Sequence, residues 1–218
     1  MDRLRNCLAE MPLIAILRGL PPHQAASMGQ ALYDAGFRCI EVPLNSPEPF
    51  ASIATLARTL PGNCLVGAGT VLDAEQVGHI SEAGGRLVVM PHSDAAVIRA
   101  AKAAGLLCAP GVATPTEAFA ALANGADALK LFPAEQLGPD VLKAWRAVLP
   151  PELICIPVGG ITTERMSAYW NAGARAFGLG SALYQAGMEP AEVGARAAAF
   201  VAAAKALPNF AGPARSIK

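Results

Sequence analysis

Two kinds of segment alternate along the chain. Short, continuous apolar runs occupy positions 13–17, 39–42, 65–67, 87–90, 106–108, 128–132, 153–158 and 176–179. Such runs, without a polar alternate face, predict strands buried on both sides, as in parallel sheets. Between them, apolar residues recur at helical spacing over 23–35, 48–60, 74–83, 95–104, 116–124, 139–149, 164–171 and 190–206. Glycines end most of these stretches: Gly36, Gly62, Gly84, Gly105, Gly125 and Gly173. Ser46-Pro47-Glu48 and Thr114-Pro115-Thr116-Glu117 carry helix-start chemistry.

Eight strand–helix units in 218 residues give about 27 residues each, near the lower limit for a closed (β/α)8 barrel. The expectation is therefore an α/β protein, a (β/α)8 TIM barrel in one domain over 1–206. Residues 1–11 read as an extra helix over the N-terminal end of the barrel. Residues 207–218 read as a loose tail, with two prolines and a glycine. An open doubly wound sheet is the alternative. The first strand has no G-x-G-x-x-G turn, so no dinucleotide fingerprint supports it.

Composition narrows the partners. Formal net charge is zero, 53% of residues are hydrophobic and 16% are charged. No basic excess exists to neutralise a nucleic acid backbone, and no apolar run nears the roughly 20 residues of a membrane span. Five cysteines, Cys7, Cys39, Cys64, Cys108 and Cys155, form no C-x-x-C pair. An odd, dispersed set predicts reduced, mostly buried thiols in a cytoplasmic protein.

Active sites of such barrels gather where strands end. The polar residues there are Arg18, Glu41, Asn45, Thr70, His92, Thr114 and Lys130, with the glycine-containing pairs Gly159-Gly160 and Gly180-Ser181. Of the five lysines, Lys130 alone lies inside an apolar strand. Desolvation favours its neutral amine, which can attack a ketone and form a Schiff base. A structural pair with a buried carboxylate is the plainer alternative. Glu41, also inside an apolar run, is the matching acid–base group. Its own alternative is an ion pair with Arg18. The glycines after strands seven and eight stand where this fold repeatedly binds phosphate. The three histidines form no metal set; His23 and His79 read as surface residues, and His92 as a possible lining residue. No metal or cofactor is expected.

Six stretches extend this reading: Leu13-Ile14-Ala15-Ile16-Leu17-Arg18-Gly19, Glu41-Val42-Pro43-Leu44-Asn45-Ser46-Pro47, Gly67-Ala68-Gly69-Thr70-Val71, Leu129-Lys130-Leu131-Phe132-Pro133, Val158-Gly159-Gly160 and Gly178-Leu179-Gly180-Ser181. In this order they resemble the class I keto-deoxy-phospho-sugar-acid aldolases, from about residue 13 to about residue 187. The resemblance implies a homotrimeric barrel, without cofactor, that splits a phosphorylated six-carbon keto-deoxy sugar acid into pyruvate and glyceraldehyde 3-phosphate. It implies that Lys130 forms the imine and that Glu41 shuttles protons. Arg18 and Thr70 would hold the carboxylate region, with Arg18 also orienting Glu41. Asn45, Pro91, Phe132 and Val158 would line the substrate, while Gly159, Gly160, Gly180 and Ser181 would hold its phosphate. Asn45 and Val158 follow the galactonate-type pattern, whereas gluconate-type members typically have Arg and Thr there. His92 stands where the galactonate type would have Asn. A gluconate-type or dual-specificity enzyme and a non-catalytic phosphate-binding barrel are the competing readings.

Overall fold

A computed structural model describes residues 2–210. Among these residues, an N-terminal helix α1 (Asp2–Glu10) precedes a regular alternation of strands and helices. The order is β1 (Leu13–Ile16), α2 (Pro22–Ala35), β2 (Cys39–Pro43), α3 (Pro49–Thr59), β3 (Leu65–Gly69), α4 (Gln76–Glu82), β4 (Leu87–Val89), α5 (Ala95–Ala103) and β5 (Leu107–Ala109). Then follow β6 (Gly111–Val112), α6 (Pro115–Ala123), β7 (Ala128–Leu131), α7 (Pro139–Arg146), β8 (Ile154–Pro157), α8 (Thr163–Asn171), β9 (Phe177–Leu179) and α9 (Pro190–Lys205). The expected fifth strand is divided into β5 and β6 at Pro110, which has no N–H to give a ladder.

All described strand pairings are parallel. They make a curled six-stranded sheet, β5-β4-β3-β2-β1-β9, and a three-stranded sheet, β6-β7-β8. Between the two sheets, a bridge joins Val158 to Gly178 on one side. On the other, the N–H groups of Asp127 and Lys130 donate to the carbonyls of Cys108 and Pro110, at 3.0 and 2.9 Å.

Alternation along each strand divides the apolar residues in two. One inner cluster takes Ile14 and Ile16, Cys39, Leu65, Leu87 and Val89, Leu107 and Ala109, Ala128, Ile154 and Ile156. It draws on strands of both sheets. Leu4, Cys7 and Leu8 of α1 join it, so this helix closes the inner core at the end where the strands begin. The residues between them, such as Leu13, Ile40, Val66, Val88, Leu129 and Phe177, pack outward under the helices. Period-two geometry sets this division.

Local signals act largely as read. Thr114 and Glu117 form a reciprocal capping box at α6, and Gly36 takes a left-handed conformation after α2. Gly62 does not adopt that conformation, because α3 stops earlier, at Leu60 and Pro61. Ser46 does not cap α3. It is buried and accepts a hydrogen bond from the Gly19 N–H at 2.9 Å, tying two loops above the strands together. All five cysteines are buried and free. Beyond α9, Leu207 is buried and the Pro208 carbonyl accepts from Trp170 Nε1 at 2.8 Å. Phe210 packs on the outer core. The rest of the expected tail, 211–218, lies outside the described residues. No helix among them is long and apolar enough to cross a membrane.

Candidate active site

A cleft of about 650 Å³ opens over the C-terminal ends of the strands. It gathers most of the residues singled out from the sequence: Arg18, Thr70, Pro91, Lys130, Phe132, Val158, Gly159, Gly160, Gly180 and Ser181. Glu41 lies beneath, in a small void that Lys130 and Val158 also border.

Lys130 and Glu41 occupy inward positions of β7 and β2. Lys130 pairs with Gly111 and Ile156 on its neighbouring strands. Its Nζ lies 4.7 Å from the centre of the Phe132 ring, since residues two apart share a face of the strand. Burial pushes the Lys130 pKa down, opposed by the charge of Glu41 and aided by that of Arg18. Burial raises the Glu41 pKa to about 7, against the attraction of Lys130 and Arg18. Glu41 Oε2 is buried without a hydrogen-bond partner. The two groups form no ion pair. Burial thus favours the neutral amine of Lys130 and the protonated acid of Glu41, which suits a nucleophilic amine beside a proton shuttle.

Arg18 does not pair with Glu41, as the sequence reading had allowed. Its Nη1 donates to Asn45 Oδ1 at 2.6 Å and its Nη2 to Thr70 Oγ1 at 3.4 Å. The guanidinium follows the loop acceptors that the strand ends present. Asn45 is exposed and acts on the cleft through Arg18. Thr70 has a positive φ of 53°, an unusual state for a β-branched residue. Leu44 N–H to Gly69 O (2.8 Å) and Val71 N–H to Val89 O (3.2 Å) clamp the chain on either side of it. Strain of this kind often marks a functional turn.

Gly159 and Gly160 follow β8 with φ values of 108° and 60°, leading directly to the start of α8. This glycine turn stands just ahead of a helix N-terminus, a setting suited to an anion. His92 is exposed and does not line the cleft, because Pro91 ends the inward course of its strand. Further residues line the cleft beyond those singled out from the sequence, among them Glu135, Tyr184 and Gln185. Glu135 stands in the loop after β7, and Tyr184 and Gln185 follow β9. Tyr184 is buried, with its hydroxyl unpartnered. Glu135 was legible only as a polar residue five positions beyond Lys130 in a loop at the same end. No three His, Cys, Asp or Glu side chains gather into a metal-binding group among the described residues.

A parallel α/β scaffold with a buried amine beside a buried carboxylate is the arrangement of an aldolase, a carbon–carbon lyase. A family model described as KDPG and KHG aldolase matches residues 4–197, and the chain belongs to that family. A Rhizobium meliloti (strain 1021) protein named probable 2-dehydro-3-deoxy-6-phosphogalactonate aldolase is 51% identical over 203 residues, 93% of this chain and 96% of its own. The Escherichia coli (strain K12) protein named 2-dehydro-3-deoxy-6-phosphogalactonate aldolase is 45% identical over 194 residues, 89% of this chain and 95% of its own. A solved structure described as native KDPGal superposes with a TM-score of 0.88 at 45% identity, covering 90% of this chain and 95% of that one.

Proposed function

We propose that this chain is a class I aldolase that cleaves 2-dehydro-3-deoxy-6-phospho-D-galactonate to pyruvate and D-glyceraldehyde 3-phosphate, a step of galactonate catabolism. The observation that carries it is the burial of Lys130 and Glu41 side by side without an ion pair, with burial pushing both towards neutrality. The neutral amine of Lys130 adds to the C2 ketone. Loss of water, with a proton from Glu41, gives the imine. The protonated imine then draws in the C3–C4 electron pair while Glu41 takes the C4 hydroxyl proton, and the aldehyde leaves. The enamine accepts that proton at C3, and water releases pyruvate and the free amine.

The other roles follow the cleft from floor to rim. Arg18 and Thr70 hold the carboxylate end, with Asn45 behind Arg18. Phe132, Pro91 and Val158 exclude water from the carbon skeleton. Gly159, Gly160, Gly180 and Ser181 hold the phosphate, whose binding energy orients the distant C4. The galactonate epimer is favoured by the names of the 51% and 45% relatives and by Asn45 and Val158. The two sheets are read as arcs of one closed (β/α)8 barrel, supported by the hydrogen bonds and the bridge across both seams. One domain over 1–206, a homotrimer, a cytoplasmic setting and a reaction without metal or cofactor complete the proposal.

Borohydride reduction in the presence of pyruvate tests it. The expected adduct forms on the peptide carrying Lys130, persists in EDTA and is absent in Lys130→Arg, whose guanidinium stays charged. An adduct on Lys102 or Lys143, or full cleavage by Lys130→Ala, overturns the mechanism.

A further inference from the structure

Glu135 lines the cleft at its glycine-rich end. Its side chain lies against the backbone of Gly159 and Gly160. A methyl group built on Gly159 would overlap Glu135 Oε2. One built on Gly160 would come 2.6 Å from Glu135 Cγ and 2.8 Å from Arg165 Nη1. The missing side chains at these two positions are what lets a carboxylate rest there. An acidic group thus stands beside backbone whose geometry suits an anion.

Among the described residues Glu135 belongs to no ion pair. The neighbouring cation Arg165 is engaged elsewhere: its Nη1 donates to the Gly160 carbonyl at 2.7 Å and its guanidinium stacks over Tyr169. A carboxylate with a structural task would have a partner, so its departure breaks no ion pair.

Resting on the reading of Gly159 and Gly160 as a phosphate cradle, we propose that Glu135 is a charge gate at the phosphate end of the cleft. Its carboxylate rests over the cradle when no phosphate is bound and swings aside when one enters. Like charges at contact distance repel, so the gate weakens phosphate binding. The reaction gives this a use. After C3–C4 cleavage, the glyceraldehyde 3-phosphate keeps every phosphate contact the substrate had. Contacts that orient the substrate but persist unchanged in the product slow its release. A competing carboxylate offsets it and returns the cradle to its empty state.

The test measures the dissociation constant of inorganic phosphate for wild type, Glu135→Gln and Glu135→Ala at fixed ionic strength. Both variants should bind phosphate about tenfold more tightly, the scale of removing one like charge from a half-solvated site. Product inhibition by glyceraldehyde 3-phosphate should strengthen by a similar factor. Glutamine keeps the size and loses the charge, so unchanged or weaker phosphate binding by Glu135→Gln overturns the gate. Phosphate binding to none of the three proteins overturns it as well. Pyruvate trapping on Lys130 in the wild type is read separately. Trapping with phosphate affinity indifferent to Glu135 removes only the gate, whereas no trapping removes the aldolase reading whatever phosphate does.

Discussion

The carboxylate of Glu41 occupies the space that a side chain on Gly69 would need. The two residues lie on neighbouring parallel strands, with Glu41 opposite Gly67 and Pro43 opposite Gly69. The alternate positions 65, 67 and 69 of β3 read Leu, Gly and Gly. Bulk low on the strand builds the inner core, and its absence higher up makes room for the acid. Gly69→Ala is expected to displace Glu41 or to spread β2 from β3. Because small misplacements of a reacting group are costly, kcat should fall by about 100-fold. Tm should fall as well, since overpacking costs roughly 1–3 kcal/mol. Steady-state kinetics and thermal melting check both. Wild-type kcat in the variant would show that Glu41 does not act from this slot.

Glu41 also makes stability depend on pH. Its folded pKa is about 7, against an ordinary value of 4.5. The folded state therefore holds this proton more tightly than the unfolded chain does. Stability from this group is full below pH 4.5, falls as pH rises from 4.5 to about 7, and is level above that. The integrated effect is roughly 3 kcal/mol. Lys130, held below its usual 10.5, acts in the opposite sense and favours the fold as pH rises towards 10.5. Glu41→Gln should remove the slope between pH 5 and 7 and exceed the wild type in stability at pH 8, while losing cleavage. Urea denaturation at pH 5 and pH 8 measures this; an unchanged difference between the two pH values would count against a raised Glu41 pKa.

Asn45 gives Arg18 a neutral acceptor, at 2.6 Å, and so leaves the guanidinium charge uncancelled. Asn45→Asp would cancel it. Arg18 helps to hold the Lys130 pKa down, so the variant should form its pyruvate imine with an acid limb moved to higher pH. If Arg18 holds the pyruvate carboxylate, the KM for pyruvate in the condensation direction should rise about tenfold, the scale of one charge-assisted hydrogen bond. Asn45→Ser keeps a neutral oxygen and should stay near wild type. An Asn45→Asp enzyme with unchanged pyruvate KM and pH profile would show that Arg18 does not serve the carboxylate.

Val158 borders both the cleft and the void that Glu41 and Lys130 share. It stands between the amine that would hold C2 and the glycines that would hold the phosphate, where it would face the carbon at which the two epimers differ. Val158→Thr adds a hydroxyl at nearly constant volume. A hydrogen bond to one epimer only is worth about 1 kcal/mol. The galactonate-to-gluconate ratio of kcat/KM should therefore fall several-fold in assays with both phosphorylated epimers. An unchanged ratio would place recognition of C4 elsewhere.

The order of strands and helices, the place of Lys130 and Glu41 inside apolar strands, and the glycine turn after β8 were all legible along the chain. These are local properties. Apolar runs select strands, alternation sends every second side chain inward, and a glycine pair frees the backbone wherever it stands. A lysine or glutamate inside an apolar run is conspicuous for the same reason, because burying its charge needs a purpose. What each group meets was not legible. Arg18 turns to Asn45 and Thr70 rather than to Glu41, His92 does not line the cleft, and Pro110 divides a strand. Glu135 lies on glycines more than twenty positions distant. Such contacts join loops brought together only when the sheets curl and their ends converge. Backbone periodicity carries no record of that convergence, so the partners of the site residues were decided by the tertiary structure alone.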